Sequence, residues 1–297
     1  MPVQHGESVV MRLLDQSAGL LSFDQTGMPE DLVKRVRHQI TRPHGMVLVT
    51  GPTGSGKTTT LYAALSELNQ ASKKIITVED PVEYRLERIN QVQVNPKIGL
   101  TFSSVLRTAL RQDPDIMMVG EMRDHETVEI GLRGALTGHL VLSTLHTNDA
   151  ITSALRLIDM GAAGFLVGSS LRAIIAQRLV RRVCEHCVED YTPDAQELLW
   201  LTNLAGEQAK STNFVHGRGC QSCQYTGYKG RIGVFELLEM NEPMMAALKL
   251  EDTEAFTQLS KENPSFTPLA KAAFEDAVKG ITTVEEVLRL VETVDVN

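Results

Sequence analysis

The chain has 297 residues, a length that predicts two or three domains. Hydrophobic residues make up 42% of the chain and charged residues 22%, a composition typical of a globular protein. Its formal net charge of −8 argues against a general nucleic-acid binder, because such proteins normally carry a basic face that neutralises phosphates. The sequence contains no apolar run long enough to span a membrane and no N-terminal secretory signal, so we expect no transmembrane segment and a cytoplasmic location.

Short apolar runs alternate with helical patterns along the first half of the chain. A β-like segment at 9–14 and a break at Gly27-Met28-Pro29 come first, and a helical pattern at 30–40 follows. From residue 46 the alternation predicts a mainly parallel sheet covered by helices. The predicted strands are 46–50, 75–79, 116–120 and 140–145, and the predicted helices are 57–71, 103–111 and 125–136.

Residues 51–58 match the full phosphate-binding pattern G-x-x-x-x-G-K-[ST], with an apolar strand before them and a helical pattern after them. Glycines let backbone N–H groups turn towards phosphates, and the following helix adds the positive end of its dipole. Lys57 can reach the β- and γ-phosphates of a nucleotide, and the hydroxyl of Thr58 can bind Mg²⁺. The predicted ATP-binding residues are Gly51, Pro52, Thr53, Gly54, Ser55, Gly56, Lys57, Thr58 and Thr59.

An acidic residue follows the strand at 116–120. Most P-loop enzymes end this strand with an aspartate that holds Mg²⁺, but Gly120 occupies that position here. Glu121 is therefore the candidate that orients and deprotonates the attacking water. The alternative for Glu121 is a structural ion pair with Arg123.

Two further polar clusters flank predicted strands and add catalytic candidates. Glu79 and Asp80 end the strand at 75–79, where they lie either near the water or metal or in a solvated turn. His139 and His146 bracket the strand at 140–145. Each histidine either contacts the γ-phosphate or caps the strand, since a histidine alone is more often structural.

Phosphoryl transfer also needs arginines that stabilise transition-state charge, and these can come from a neighbouring subunit. The default role of any one arginine is a surface salt bridge, so the sequence does not rank the candidates. They are Arg12, Arg107, Arg111 and Arg123.

All four cysteines occur in two C-x₂-C pairs, Cys184/Cys187 and Cys220/Cys223. Two such knuckles supply four soft ligands for tetrahedral Zn²⁺, and a closed site of this kind leaves no open position for catalysis. We therefore predict a structural zinc site, with four reduced structural cysteines as the alternative. The separation between the pairs is longer than usual for such sites.

Five segments of the chain together resemble the secretion ATPase superfamily of type II secretion and type IV pilus systems. In chain order they resemble its Walker A, aspartate box, connecting segment, Walker B and histidine box: GPTGSGKTTTLYAAL, TVEDPVEY, NQVQVNPKIGLTF, LRQDPDIMMVGEMRD and LTGHLVLSTLHTNDA. The residues of these five motifs look most like those of extension ATPases of mannose-sensitive haemagglutinin (MSHA)-type pili. The cysteine insertion is similar to that of assembly and secretion ATPases, whereas pilus retraction ATPases lack it.

The resemblance implies an α/β protein with a RecA-like P-loop core, working as a homohexamer that binds ATP between two domains. Arg12 matches a family arginine that reaches the nucleotide from the preceding domain. We expect a truncated chain with four parts: 1–27, a remnant of an N-terminal domain; 28–178, the ATPase core; 179–235, a tetracysteine zinc module; and 236–297, a C-terminal helical region.

The function implied by the resemblance is ATP hydrolysis with Mg²⁺ that drives type IV pilus extension or assembly of a type II secretion pseudopilus. The partner would be an inner-membrane platform protein, which would hold the motor at the membrane from the cytoplasmic side. We weigh three alternatives: a pilus retraction ATPase, a RecA-like nucleic-acid translocase, and an inert nucleotide-binding scaffold.

Overall fold

The computed structural model of the protein describes residues 2–9 and 21–295. Arg12, and the predicted β-like segment beyond Val9, lie outside these residues. The first described elements are two short antiparallel strands, β1 (Pro2–Val3) and β2 (Gly6–Glu7).

The core is a seven-stranded sheet with the strand order β11-β8-β3-β7-β6-β4-β5. Neighbouring strands are parallel except for β11, which pairs antiparallel with β8. The central strands are buried apolar runs because helices cover both faces of the sheet. The strands are β3 (Gly45–Thr50), β4 (Ile75–Glu79), β5 (Asn90–Gln93), β6 (Ile116–Val119), β7 (Leu140–Leu145), β8 (Leu171–Val183) and β11 (Tyr228–Glu239). The predicted mainly parallel sheet is confirmed.

Two apolar clusters, one on each face, hold helices against this sheet. One cluster contains residues of α1 and α2 with Phe23, and the other contains residues of α3 to α6. Each helix in the sequence prediction is present, although α2 ends three residues early. The helices are α1 (Glu30–Ile40), α2 (Lys57–Leu68), α3 (Phe102–Ala109), α4 (His125–Leu136), α5 (Ala150–Asp159) and α6 (Gly164–Ser170).

Side-chain caps fix the start of the helices that follow loops at one edge of the sheet. Asp124 accepts a hydrogen bond from the backbone N–H of Thr127, at 2.8 Å, and so begins α4. Asp149 accepts one from Thr152, at 2.7 Å, and so begins α5. Because such caps satisfy N–H groups that lack intrahelical partners, the loops before these helices end at defined residues.

The cysteine segment lies between the two long antiparallel strands β8 and β11. It contains β9 (Val188–Tyr191), α7 (Ala195–Ala205) and β10 (Phe214–Gly217), and β9 pairs antiparallel with β10. Since β8 and β11 belong to the core sheet, the segment is anchored directly to that sheet. The expected boundary between residues 178 and 179 falls inside β8.

The C-terminal part is helical, as the fold prediction expects. Its helices are α8 (Glu242–Lys249), α9 (Thr253–Lys261), α10 (Leu269–Val278) and α11 (Val284–Asp295). The α10 helix packs against β11, α7 and α11. In the part of the chain that the structure describes, no helix is both long and apolar enough to cross a membrane.

Candidate active site and metal centre

The phosphate loop joins the end of β3 to the start of α2. Its conformation requires glycine, since Gly51 has a φ of 147° and Gly56, the residue before α2, has a φ of 89°. The first N–H groups of a helix have no intrahelical acceptor, so the start of α2 can bind an anion. Ser55 lies in the loop, and its buried hydroxyl has no hydrogen-bond partner among the described residues. These features fit a bound phosphate.

Lys57 lies over the loop with only 9% of its surface exposed. Its ammonium donates to the carbonyl oxygens of Gly51, at 2.7 Å, and Pro52, at 3.0 Å. Burial lowers the pKa of Lys57 to about 8, with a smaller effect of the Arg178 charge in the same direction, while Glu121 raises it. The ammonium group of Lys57 therefore lies at the phosphate loop, where it can pair with the phosphates of a nucleotide.

A cleft of about 610 Å³ brings the predicted catalytic residues together. The carboxyl ends of parallel strands meet at one edge of a sheet, so loops that are distant in sequence converge there. The cleft is lined by the phosphate loop, by the residues after β4 and β6, and by the residues at the end of β7. The predicted site residues among them are Thr53, Gly54, Gly56, Lys57, Thr58, Thr59, Glu79, Asp80, Glu121 and His146.

Glu121 faces this cleft between two basic side chains. Its carboxylate forms an ion pair with Arg123, and its Oε2 lies 3.4 Å from Nε2 of His146. Arg123 also lies 3.7 Å from Asp80, measured from Nη1 to Oδ2. The ion pair with Arg123 that we weighed as an alternative is therefore present, and the carboxylate still lines the cleft beside Lys57.

Glu79 and Asp80 are adjacent in sequence but have different environments. Glu79 is 3% exposed and accepts hydrogen bonds from the hydroxyls of Tyr62 and Thr77 and from Nε2 of Gln91, the last at 3.1 Å. Burial and the Glu79 carboxylate raise the pKa of Tyr62. Asp80 is exposed beside Arg123. Glu79 is thus held rigidly at the cleft wall, and Asp80 is the more accessible carboxylate.

His139 lies at the opposite edge of the sheet from the phosphate loop. It immediately precedes β7, and its Nδ1 is 3.0 Å from the carbonyl oxygen of Gly134. With a rise of about 3.3 Å per residue, β7 separates it from His146 by roughly 20 Å. The catalytic interpretation of His139 therefore needs correction: a strand places its two ends at opposite edges, and only the carboxyl end faces the loop.

The candidate arginines are dispersed. Arg107 pairs with Glu126 on the surface, and Arg111 is exposed in the turn after α3. Sequence reasoning missed Arg231, which lies on β11 and lines the cleft. No motif identifies Arg231, because only the pairing of β11 with β8 brings it near the loop.

Two neighbouring residues on β8 contact the loops of the site and were also missed. Gln177 is 2% exposed and contacts the phosphate loop and α2. Arg178 is 7% exposed and donates to the backbone oxygen of Asn148, at 2.9 Å, and to its side-chain oxygen, at 3.0 Å. A second cavity of about 930 Å³ adjoins the loop, with Arg178 and Arg231 among its lining residues.

The four cysteine Sγ atoms lie within 4.8 Å of one another, and the closest pairs are 3.8–3.9 Å apart. Tetrahedral Zn²⁺ with bonds of about 2.3 Å would separate its sulfur ligands by about 3.8 Å, so the cluster fits zinc. Burial raises the pKa of Cys223, but backbone N–H donors from Cys220 and Gly227, together with the neighbouring thiols of Cys220 and Cys187, outweigh it and lower that pKa. Such donors stabilise the thiolate form that binds metal.

Comparison with known proteins supports the family resemblance. Residues 1–289 match the family described as type II/IV secretion system protein. The chain is 47% identical over 291 residues to type II secretion system protein E of Pseudomonas aeruginosa, an alignment that covers 98% of this chain and 57% of that protein. It is 46% identical over 292 residues to type II secretion system ATPase E of Vibrio cholerae, with 98% and 57% covered.

The fold is also similar to a solved structure, the pilus retraction motor PilT with bound ADP. The TM-score is 0.69 at 30% sequence identity, over 94% of this chain and 68% of that chain. This similarity agrees with the RecA-like core. The chain spans a little over half the length of the two curated relatives.

Proposed function

Because the chain belongs to the type II/IV secretion system protein family, we propose that its cleft binds ATP and hydrolyses it to drive a secretion or pilus assembly machine. The observation that carries this proposal is the convergence of Lys57, Thr58 and Glu121 on one cleft at the carboxyl edge of the sheet. The arrangement supplies a cation, a hydroxyl ligand and a base, which phosphoryl transfer requires.

Each residue has a separate task in this proposal. Lys57 neutralises the β- and γ-phosphates, and Thr58 would hold Mg²⁺, which when bound would supply further positive charge to the phosphate oxygens. Glu121 takes a proton from water, whose oxygen bonds to the γ-phosphorus as the bond to the bridging oxygen breaks. His146 and Arg123 orient the Glu121 carboxylate, since both contact it directly.

The cysteine cluster is proposed to hold one structural Zn²⁺. Cys184, Cys187, Cys220 and Cys223 would occupy all four positions of a tetrahedral ion, and the site joins the ends of β8 and β11. The zinc would therefore stabilise the segment between these strands and take no part in hydrolysis.

For the machine served, we propose assembly of a type II secretion pseudopilus or extension of a type IV pilus, including one of the MSHA type. The motor would act as a homohexamer on an inner-membrane platform protein, located at the cytoplasmic side of the membrane. The type II secretion relatives favour assembly. Retraction is the second candidate, because PilT shares the fold at 30% identity.

An ATPase assay tests the enzymatic proposal. The wild-type chain should release phosphate with Mg²⁺, and Lys57→Ala should abolish turnover at saturating ATP. Lys34→Ala is the matched control, because Lys34 is a surface lysine whose side chain is 69% exposed in α1. Equal activity in all three proteins would refute the assignment, and strong stimulation by DNA would favour a translocase instead.

A genetic experiment separates assembly from retraction. Deleting the gene should remove surface fibres or block secretion if the protein drives assembly. Loss of a retraction motor should instead leave fibres that persist on the cell. Complementation by the wild-type gene, but not by a gene carrying Lys57→Ala, would tie the phenotype to hydrolysis.

A further inference from the structure

Gln177 makes direct contact with the phosphate loop from the neighbouring strand. Thr50, the last residue of β3, pairs with Ala176 on β8, so the next residue on β8 lies beside the loop. The amide Nε2 of Gln177 donates to the carbonyl oxygen of Ser55 at 2.6 Å. Its Oε1 accepts from the hydroxyl of Thr60, in the first turn of α2, at 2.7 Å. One buried amide therefore joins the loop to the helix.

The glycines of the loop let the backbone approach Gln177 closely. A Cβ atom at Gly51 would lie 2.5 Å from the backbone oxygen of Gln177. A Cβ atom at Gly56 would lie 3.1 Å from its Nε2. The loop thus packs directly on Gln177, with Gly51 against its backbone and Gly56 against its side-chain amide.

The bond to Ser55 also sets the direction of a phosphate donor. In a trans peptide unit the carbonyl oxygen and the N–H of the next residue point in opposite directions. Because the Ser55 oxygen is held towards Gln177, the N–H of Gly56 points away from β8. Backbone N–H groups directed in this way form the concave anion site of a phosphate loop.

We propose that Gln177 is a positioning residue that holds the Ser55–Gly56 peptide and the first turn of α2 in the conformation that receives the β-phosphate. The proposal rests on the nucleotide-binding role proposed above. It concerns binding through the loop and assigns no chemical step to Gln177.

The test compares ADP with AMP, because AMP lacks the β-phosphate. Binding is measured by displacement of a fluorescent ADP analogue from the wild-type chain and from Gln177→Ala. We expect the variant to bind ADP about tenfold more weakly, since the Ser55 oxygen loses its donor, while AMP binding changes less than about threefold. Gln177→Glu should lose more ADP affinity than Gln177→Ala, because it removes the donor and adds a negative charge beside the phosphates.

Gln39→Ala is the matched control. Gln39 is another buried glutamine, 4% exposed, but it lies on α1 and bonds to Glu239 at 2.6 Å. It should leave both affinities unchanged. If Gln177→Ala does not fold, Thr60→Val removes only one of the two contacts and should weaken ADP binding severalfold, again with AMP unaffected.

Equal losses of ADP and AMP affinity, or no loss of either, would overturn the positioning role. A wild-type chain that binds no ADP would instead overturn the proposed function. If Lys57→Ala weakens ADP binding and the substitutions at Gln177 and Thr60 do not, the function stands and only the role of Gln177 is wrong.

Discussion

Nucleotide affinity should depend on the protonation of Lys57. Burial brings the pKa of Lys57 from its usual 10.5 to about 8. Only the ammonium form can pair with phosphate, and bound phosphates would raise this pKa again. Binding therefore takes up a growing fraction of a proton as pH rises through 8, so affinity is nearly complete at pH 7 and decreases as pH rises above it.

The expected magnitude follows from the fraction of Lys57 that carries a proton. With a pKa of about 8, about 90% is protonated at pH 7 and about 10% at pH 9, so ADP affinity should fall about tenfold. For a lysine with the ordinary pKa, the protonated fraction would fall by less than about 5% over the same range. The second ionisation of a phosphate group lies near pH 6, so ADP itself changes little above pH 7.

The assay is isothermal titration calorimetry with ADP between pH 7 and 9, in buffers that differ in ionisation enthalpy. The wild-type chain should show weaker binding and proton uptake as pH rises. Lys57→Met is the control: it should bind weakly with the same affinity across the range. A wild-type affinity that stays constant from pH 7 to 9, without proton uptake, would refute the hypothesis that burial lowers the pKa of Lys57.

Three further predictions concern the remaining site residues. Glu121→Gln keeps the size of the side chain but removes the base, so turnover should fall by roughly 10²–10⁴-fold while the Kd for ATP stays within a few fold. A parallel loss of ATP affinity would instead make Glu121 a metal ligand or a structural residue. His146→Gln should lower kcat because it changes a contact of Glu121, whereas His139→Gln should leave kcat within about twofold. The reverse result would refute the conclusion that only His146, at the carboxyl end of β7, belongs to the site. Elemental analysis should find one zinc per wild-type chain, and Cys220→Ser should lose it and lower the Tm; a metal-free wild-type chain would rule the zinc site out.

Local patterns in the sequence were sufficient for the central features. The phosphate loop could be identified because its glycines, Lys57 and Thr58 are contiguous and the flanking strand and helix are strongly patterned. The paired x₂ spacings predicted that the cysteines would form a cluster. Apolar runs located β4, β6 and β7, whereas β5 was missed because Asn90–Gln93 is polar and lies at the sheet edge.

Tertiary structure alone decided which polar side chains reach the cleft. His139 and His146 flank the same strand, and the sequence alone does not distinguish them as catalytic candidates. The direction of β7 places only His146 beside Glu121. Glu79 is buried because Gln91, from the edge strand, and Tyr62, from α2, both bond to it. Gln177 and Ser55 are 122 residues apart and meet because β8 lies next to β3. Spacing along a chain specifies contacts within one loop or helix turn, but contacts between strands depend on their order and direction in the sheet, which arise only when the whole core packs.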